Sequence, residues 1–280
     1  MKILAKVMFG LIAAGALCVI AINWIAPTTL SFYSVYKAPK VTREVPRPLP
    51  DNSLSQATGS ELSYFGYEFE VPWTDLDDSL TKLYPEKSAD KTRADIHFRS
   101  GLRMIVTAGT PGTWVHGIPE TMKISSQQAE QLFGADAMRS DYDFLKALYE
   151  FNPETMHHWA PSSQEQTRQQ TWLILKSLAL LKSAESGIFI LTSPSLRGFQ
   201  EGAPSVRQDG IALHLFSDNG SIEFIIFQKD YKNPAGITQA ELNRIVQTVH
   251  PSAHLESQPA NAPGKTKAES RSDGRGKPRT

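Results

Sequence analysis

Cysteine is nearly absent. Cys18 is the single one in 280 residues, which excludes an intramolecular disulfide framework, a cysteine-rich zinc site and a Cys-x-x-Cys redox pair. An excess of either charge is also lacking. The 29 basic and 29 acidic residues balance, so no global field favours nucleic acid or an acidic substrate. The chain has no G-x-S-x-G elbow, no H-E-x-x-H zinc helix and no G-x-G-x-x-G dinucleotide fingerprint. Gly264-Lys265-Thr266 ends like a phosphate-binding loop, but Pro259 stands where its first glycine is needed. No acidic loop has EF-hand spacing, and no repeat of solenoid period is present.

What is present begins with one long apolar run. Val7–Ala26 is 20 residues with a single polar interruption, Asn23, enough helix to cross a hydrocarbon core of about 30 Å. Lys2 and Lys6 precede it, and Trp24, Phe32, Tyr33 and Tyr36 follow, the aromatic types of a membrane interface. These features predict a short cytoplasmic N-terminus (1–6), a single transmembrane helix (7–26) and an extracytoplasmic body. A cleaved signal peptide, leaving a secreted protein, is the alternative. Cys18 reads as a small apolar residue of that helix, because Leu17 stands where a lipobox needs a small residue. The only other dense apolar stretch, Trp172–Leu181, is ten residues broken by Lys176, too short for a second span.

Charge is distributed by segment. Residues 1–50 carry a net +5, residues 251–280 a net +3 and the middle a net −8. An acidic body between basic flanks argues against nucleic-acid binding. Residues 27–60, with Pro39, Pro46, Pro48 and Pro50, read as an extended proline-rich linker holding the body off the bilayer. Residues 251–280 hold almost no large apolar side chain and read as a disordered basic tail.

The body, 61–250, carries the structural pattern. Phe65, Tyr67, Phe69 and Val71 alternate as a strand. Trp73, Leu76, Leu80 and Leu83 recur at helical spacing behind Asp75, Asp77 and Asp78. A hairpin is expected about Ser100-Gly101, then a loop over 108–124 rich in glycine and proline. Helices follow from Ser125 or Ser126 to Phe133, from Ser140 to Phe151, and from Ser162 or Ser163 to about Ala184. A strand at 187–192 precedes a second hairpin, with Asn219-Gly220 as a type I′ turn between Ile211–Leu215 and Ile222–Ile226. Thr238 and Glu241 form a capping box for a last amphipathic helix to Val249. Hairpins without an alternating βαβ series predict an α+β fold with a largely antiparallel sheet and packed helices. This layout resembles the Mog1/PsbP-like group of small α+β domains. The hairpin about Asn219-Gly220 and the Ile237–Val249 helix carry the resemblance, over 61–107 and 187–250 with a larger helical insert between. It implies an architecture and lends no functional residue.

Four features are candidates for chemistry. His157-His158, beside Trp159 and Glu154, would need His116 or His97 to complete a metal site, and adjacent helical residues point about 100° apart. The loop Thr110–Glu120 offers Trp114 and His116, for a partner or for packing on the sheet edge. Thr192–Pro204 holds Ser193, Ser195, Arg197 and Glu201 with no local base to activate a serine, and reads as a polar surface loop. Asn219-Gly220-Ser221 fits a glycosylation sequon that the turn alone explains. No catalytic, cofactor-binding or metal-binding residue is assigned, and no cofactor. The expected function is that of a membrane-anchored protein whose body binds an envelope protein partner or a small apolar ligand. The alternatives are an enzyme of unfamiliar family using His116, His157 or His158 with a carboxylate, and a passive tether whose tails do the work.

Overall fold

Alternating apolar side chains build most of the central sheet. In a computed structural model, residues 40–57, 59–84, 92–153, 163–204, 210–227 and 236–252 are described. The strands are β1 (Pro46–Pro48), β2 (Ser60–Tyr64), β3 (Tyr67–Val71), β4 (Lys82–Tyr84), β5 (Arg93–His97), β6 (Arg103–Gly109), β7 (Ile188–Thr192), β8 (Arg197–Glu201), β9 (Ile211–Ser217), β10 (Gly220–Phe227) and β11 (His250–Pro251). The helices among the described residues are α1 (Thr113–Met122), α2 (Ser126–Phe133), α3 (Asp141–Glu150), α4 (Ser163–Ala179) and α5 (Gln239–Thr248). The result is an α+β fold with a mostly antiparallel mixed sheet. Eight strands run in the order β1-β7-β8-β9-β10-β6-β5-β4, and only β1 and β7 are parallel. A second sheet, β11-β3-β2, is antiparallel.

The large sheet separates two cores. On one face Ile96, Met104, Val106, Leu213, Leu215, Ile222 and Phe224 meet the small sheet and α5. Phe69 packs edge-to-face on Phe224 at 4.9 Å. On the other face Ile188, Phe199 and Phe216 meet the layer α1–α4, where Phe133, Phe144 and Trp172 form an aromatic knot with centroids 5.2–5.4 Å apart. Burying each such side chain is worth about 2 kcal/mol, which makes the helix layer part of the folded unit and not an appendage.

Several elements differ from the reading of the sequence. Residues 72–81 are not a helix. Leu76 bridges Phe98, Asp77 N–H donates to His97 O and Arg99 N–H to Asp75 O, so this backbone pairs with the β5–β6 hairpin and closes only a single turn on itself, at Asp77 O. Leu80 and Leu83 are exposed, so their helical spacing marked no buried face. The expected loop 108–124 contains α1, with Pro119 in its last turns. β8 replaces an expected surface loop. The strand expected from Phe65 is a hairpin whose turn residues, Phe65 and Gly66, both have positive φ (57° and 81°), the type I′ geometry expected at Asn219. At the second hairpin the turn is Asp218–Asn219, and Gly220 takes the positive φ of 149°. A Cβ at Gly220 would stand 2.7 Å from Gly109 O, so the close approach of β6 also requires glycine there.

Of the expected linker, residues 40–57 lie along the body, beginning with a 3₁₀ turn at Lys40–Arg43. Two of its prolines, Pro46 and Pro48, bound the edge strand β1, where a missing N–H is tolerated. No helix of the described residues is long and apolar enough to cross a membrane; Val7–Ala26 and the tail from residue 253 lie outside them.

Candidate functional site

The sequence of α1 supplies no cap for its own N-terminus: Gly112 precedes it with φ 85° and no side chain. The cap comes from the first residue of α3. Asp141 Oδ2 accepts from Gly112 N–H at 2.9 Å, and Oδ1 accepts from Trp114 and Val115 N–H at 2.8 and 3.1 Å. Ser140 in turn caps α3 through Asp143 N–H at 3.1 Å. One buried carboxylate thus ties two helix N-termini into a single corner, where partial positive charge meets a negative group.

Two connections of the sheet reach the same corner. Between β7 and β8, Ser193 Oγ accepts from Leu196 N–H at 2.9 Å and donates to Leu196 O, closing a tight turn, while Ser195 donates to Val249 O at 3.2 Å. Arg197 then lays its guanidinium 4.1 Å over the ring of Tyr142 on α3. The β9–β10 turn adds Ser217 and Asp218. Together they enclose an open groove of about 700 Å³. Its apolar floor includes Val115, Tyr142, Leu196 and Phe216, and Arg139, Arg197, His116 and Asp218 stand on its rim. A smaller recess of about 460 Å³ lies between β1, β7 and α5.

Behind this floor is a polar cluster. Tyr149 Oη donates to Glu201 Oε1 at 2.5 Å, and Glu201 Oε2 accepts from Leu181 N–H. His214 places Nδ1 3.0 Å from Glu223 Oε1 and Nε2 3.2 Å from Glu201 Oε1, the latter off the line of a hydrogen bond. Burial works against the charged imidazole, but the charge of Glu223, its contact with Nδ1 and the nearby Glu201 carboxylate outweigh it and push the pKa up to about 10. For Glu223 burial is likewise outweighed, by the charge and hydrogen bond of His214, and its carboxyl is held below the usual range. Burial first, then Glu201, keep Tyr149 protonated far above its ordinary range. Phe199, stacked on Tyr142 at 5.3 Å and edge-on to Tyr149 at 5.0 Å, stands between this cluster and the groove. An imidazolium clamped between two carboxylates braces β8, β9 and β10; it does not offer a free base.

The candidates named from sequence divide accordingly. His116, Ser193, Ser195 and Arg197 line one groove, although they come from segments about 80 residues apart. His157 and His158 lie outside the described residues. His97 pairs with Asp95 at 3.2 Å on β5, and Asp95 also takes two hydrogen bonds from Arg103. Trp114 stacks on Phe144 in the helix layer. Asp75 and Asp77 accept from backbone in their own turns and in the β5–β6 hairpin. Among the described residues no three His, Cys, Asp or Glu side chains are placed to hold a metal. The hydroxyls of Ser193 and Ser195 pair with backbone. Sequence reasoning missed Asp141, Tyr142, Tyr149 and Lys176. Tyr142 and Asp141 sit at a helix start already explained by its cap, and nothing local distinguishes them. Compared with protein-family models, with characterised proteins and with solved structures, the chain matches none.

Proposed function

We propose that this is a membrane-anchored binding protein, held by Val7–Ala26, whose extracytoplasmic α+β body takes a partner protein in the groove between the α1–α3 corner and the 192–197 turn. The observation that carries the reading is the convergence of four separate chain segments on one open groove. Three of its polar groups suited to chemistry, Asp141, Ser193 and Ser195, are already engaged with backbone. The groove has an apolar floor and a charged rim, the pattern of a protein-binding surface more than of an enclosed small-molecule pocket. Arg197 on Tyr142 is the type of rigid cation–aromatic pair that anchors such contacts.

The test is photocross-linking of the full chain in its native membrane, with a photoreactive side chain at Arg139 on the rim or at Lys146 on α3, outside the groove. The expected result is a discrete adduct from position 139, absent from position 146 and lost on Arg197→Glu. The same adducts from both positions, or none from either, would contradict the reading.

A further inference from the structure

The segment that leads from the apolar run to the body is built into the fold. The 3₁₀ turn Lys40–Arg43 buries Val41 and Thr42 and touches α4 and the 3₁₀ turn Lys182–Ser186. Lys176, wholly buried in α4, donates from Nζ to Glu44 O, Tyr149 O and Phe151 O at 2.6, 2.7 and 2.6 Å. β1 then pairs with β7, and Arg47 donates to Ser186 O at 3.0 Å while covering the Phe189 ring. Asn243 Nδ2 on α5 donates to Asp51 O and Ser53 O at 2.8 Å each. The buried Lys176 ammonium thus ties Glu44 to the end of α3, and with the β1–β7 pairing and the Arg47 and Asn243 bonds it makes this segment a fixed strap.

The strap fixes the point at which the connection from the apolar run joins the body. Only 13 residues, 27–39, separate the apolar run from Lys40, a reach of at most about 45 Å fully extended. They attach at the β1 edge, and the opposite edge, β4, is seven strand spacings or roughly 34 Å further on. The β1 edge has a distinctive surface. Val45, Leu178 and Ile190 are each at least 40% exposed, half of the large apolar residues so exposed among those described. Around them Lys40, Arg43, Arg47 and Lys182 are exposed, against exposed Glu185 and half-buried Glu44. Elsewhere the body is acidic, so this concentration of cations is local.

From the fixed strap, the short connection and this surface we infer that the β1–α4 edge rests on anionic lipid headgroups, its cations against phosphate and its exposed apolar side chains in the interface. Cations close to an anionic surface and apolar side chains in the interface both favour such a contact. The anchor would then do more than retain the body: it would set one face down and leave the rest of the sheet directed away. This inference rests on the anchored reading above.

The test labels the full chain, in a Cys18→Ala background, with a fluorophore at Leu178→Cys or at Leu83→Cys on the far edge. It is reconstituted in vesicles of phosphatidylcholine, with or without phosphatidylglycerol, that carry nitroxide headgroups. Quenching several-fold stronger at 178 than at 83 is expected with phosphatidylglycerol. It should fall to the level of position 83 without that lipid or on Lys40→Glu with Lys182→Glu. Equal quenching at the two positions, or quenching at 178 indifferent to phosphatidylglycerol, overturns the inference while the anchor stands. A chain that washes off the vesicles in alkaline carbonate overturns the anchor and this inference together.

Discussion

His214 and Lys176 are both buried titratable groups, and they act on stability with opposite sign. The folded state raises His214 from 6.5 to about 10 because the charges of Glu223 and Glu201 overcome burial. Its contribution is therefore fully present below pH 6.5 and is lost as pH rises towards 10. Burial lowers Lys176 from 10.5 to about 8, against the charge of Glu44, so the unfolded chain binds the extra proton between those values and stability gains with pH there. Of these two groups, His214 dominates between pH 6.5 and about 7.5, below the Lys176 transition. Unfolding of the full chain in detergent, followed across that window, should show stability falling by up to about 1.4 kcal/mol per pH unit, the slope of one proton. His214→Gln should abolish the slope. A flat wild-type profile would show that His214 is not held as an imidazolium. Glu223, 35% exposed at its side chain, contributes in the other direction, its share being lost as pH falls below the carboxylate range.

The helix α1 depends on a residue beyond its own segment. Pro119 and three glycines between 109 and 117 make the stretch look like a loop, and its cap, Asp141, lies 29 residues beyond Gly112. Asp141→Ala leaves three N–H groups without their acceptor and should cost about 2 kcal/mol, measured by denaturant unfolding, with faster hydrogen exchange at residues 113–116. A loss under about 0.5 kcal/mol would mean that water replaces the carboxylate at no cost. The same distinction between local and distant causes explains what the sequence reveals. β10 alternates cleanly, β6 and β9 carry apolar residues two apart at Met104 and Val106 and at Ile211, Leu213 and Leu215, and α2, α3 and α5 carry caps at their own N-termini, so each is legible. β8 is not, because its buried Gln200 and Glu201 are satisfied by Gln239, Tyr149 and the Leu181 amide, partners from remote segments. β1, β2 and β4 are short strands outside the sheet's centre with little apolar signal. The groove has the same character: Trp114–His116 and Ser193–Arg197 stand out singly as polar loops. Only the insertion of β8 between β7 and β9 brings them beside α3.

At the scale of the whole molecule, the eight-stranded sheet has one end fixed by the strap from Lys40 and carries its helix layer over β7, β8 and β9. The groove opens where that layer meets the strand connections, and the imidazolium cluster braces the sheet beneath it. If the chain is anchored as proposed and the β1 edge faces lipid, the groove is presented by a body whose orientation is set. Binding would therefore proceed on a preformed surface with small backbone movement. The most direct test of the groove as a partner site is hydrogen exchange on the full chain, compared between its native membrane and a purified, delipidated sample. The account predicts added protection in the native membrane at 111–116, 138–142, 192–197 and 217–220 together, with β4 unchanged. Protection that spares those four segments, or that falls uniformly on the body, would contradict it.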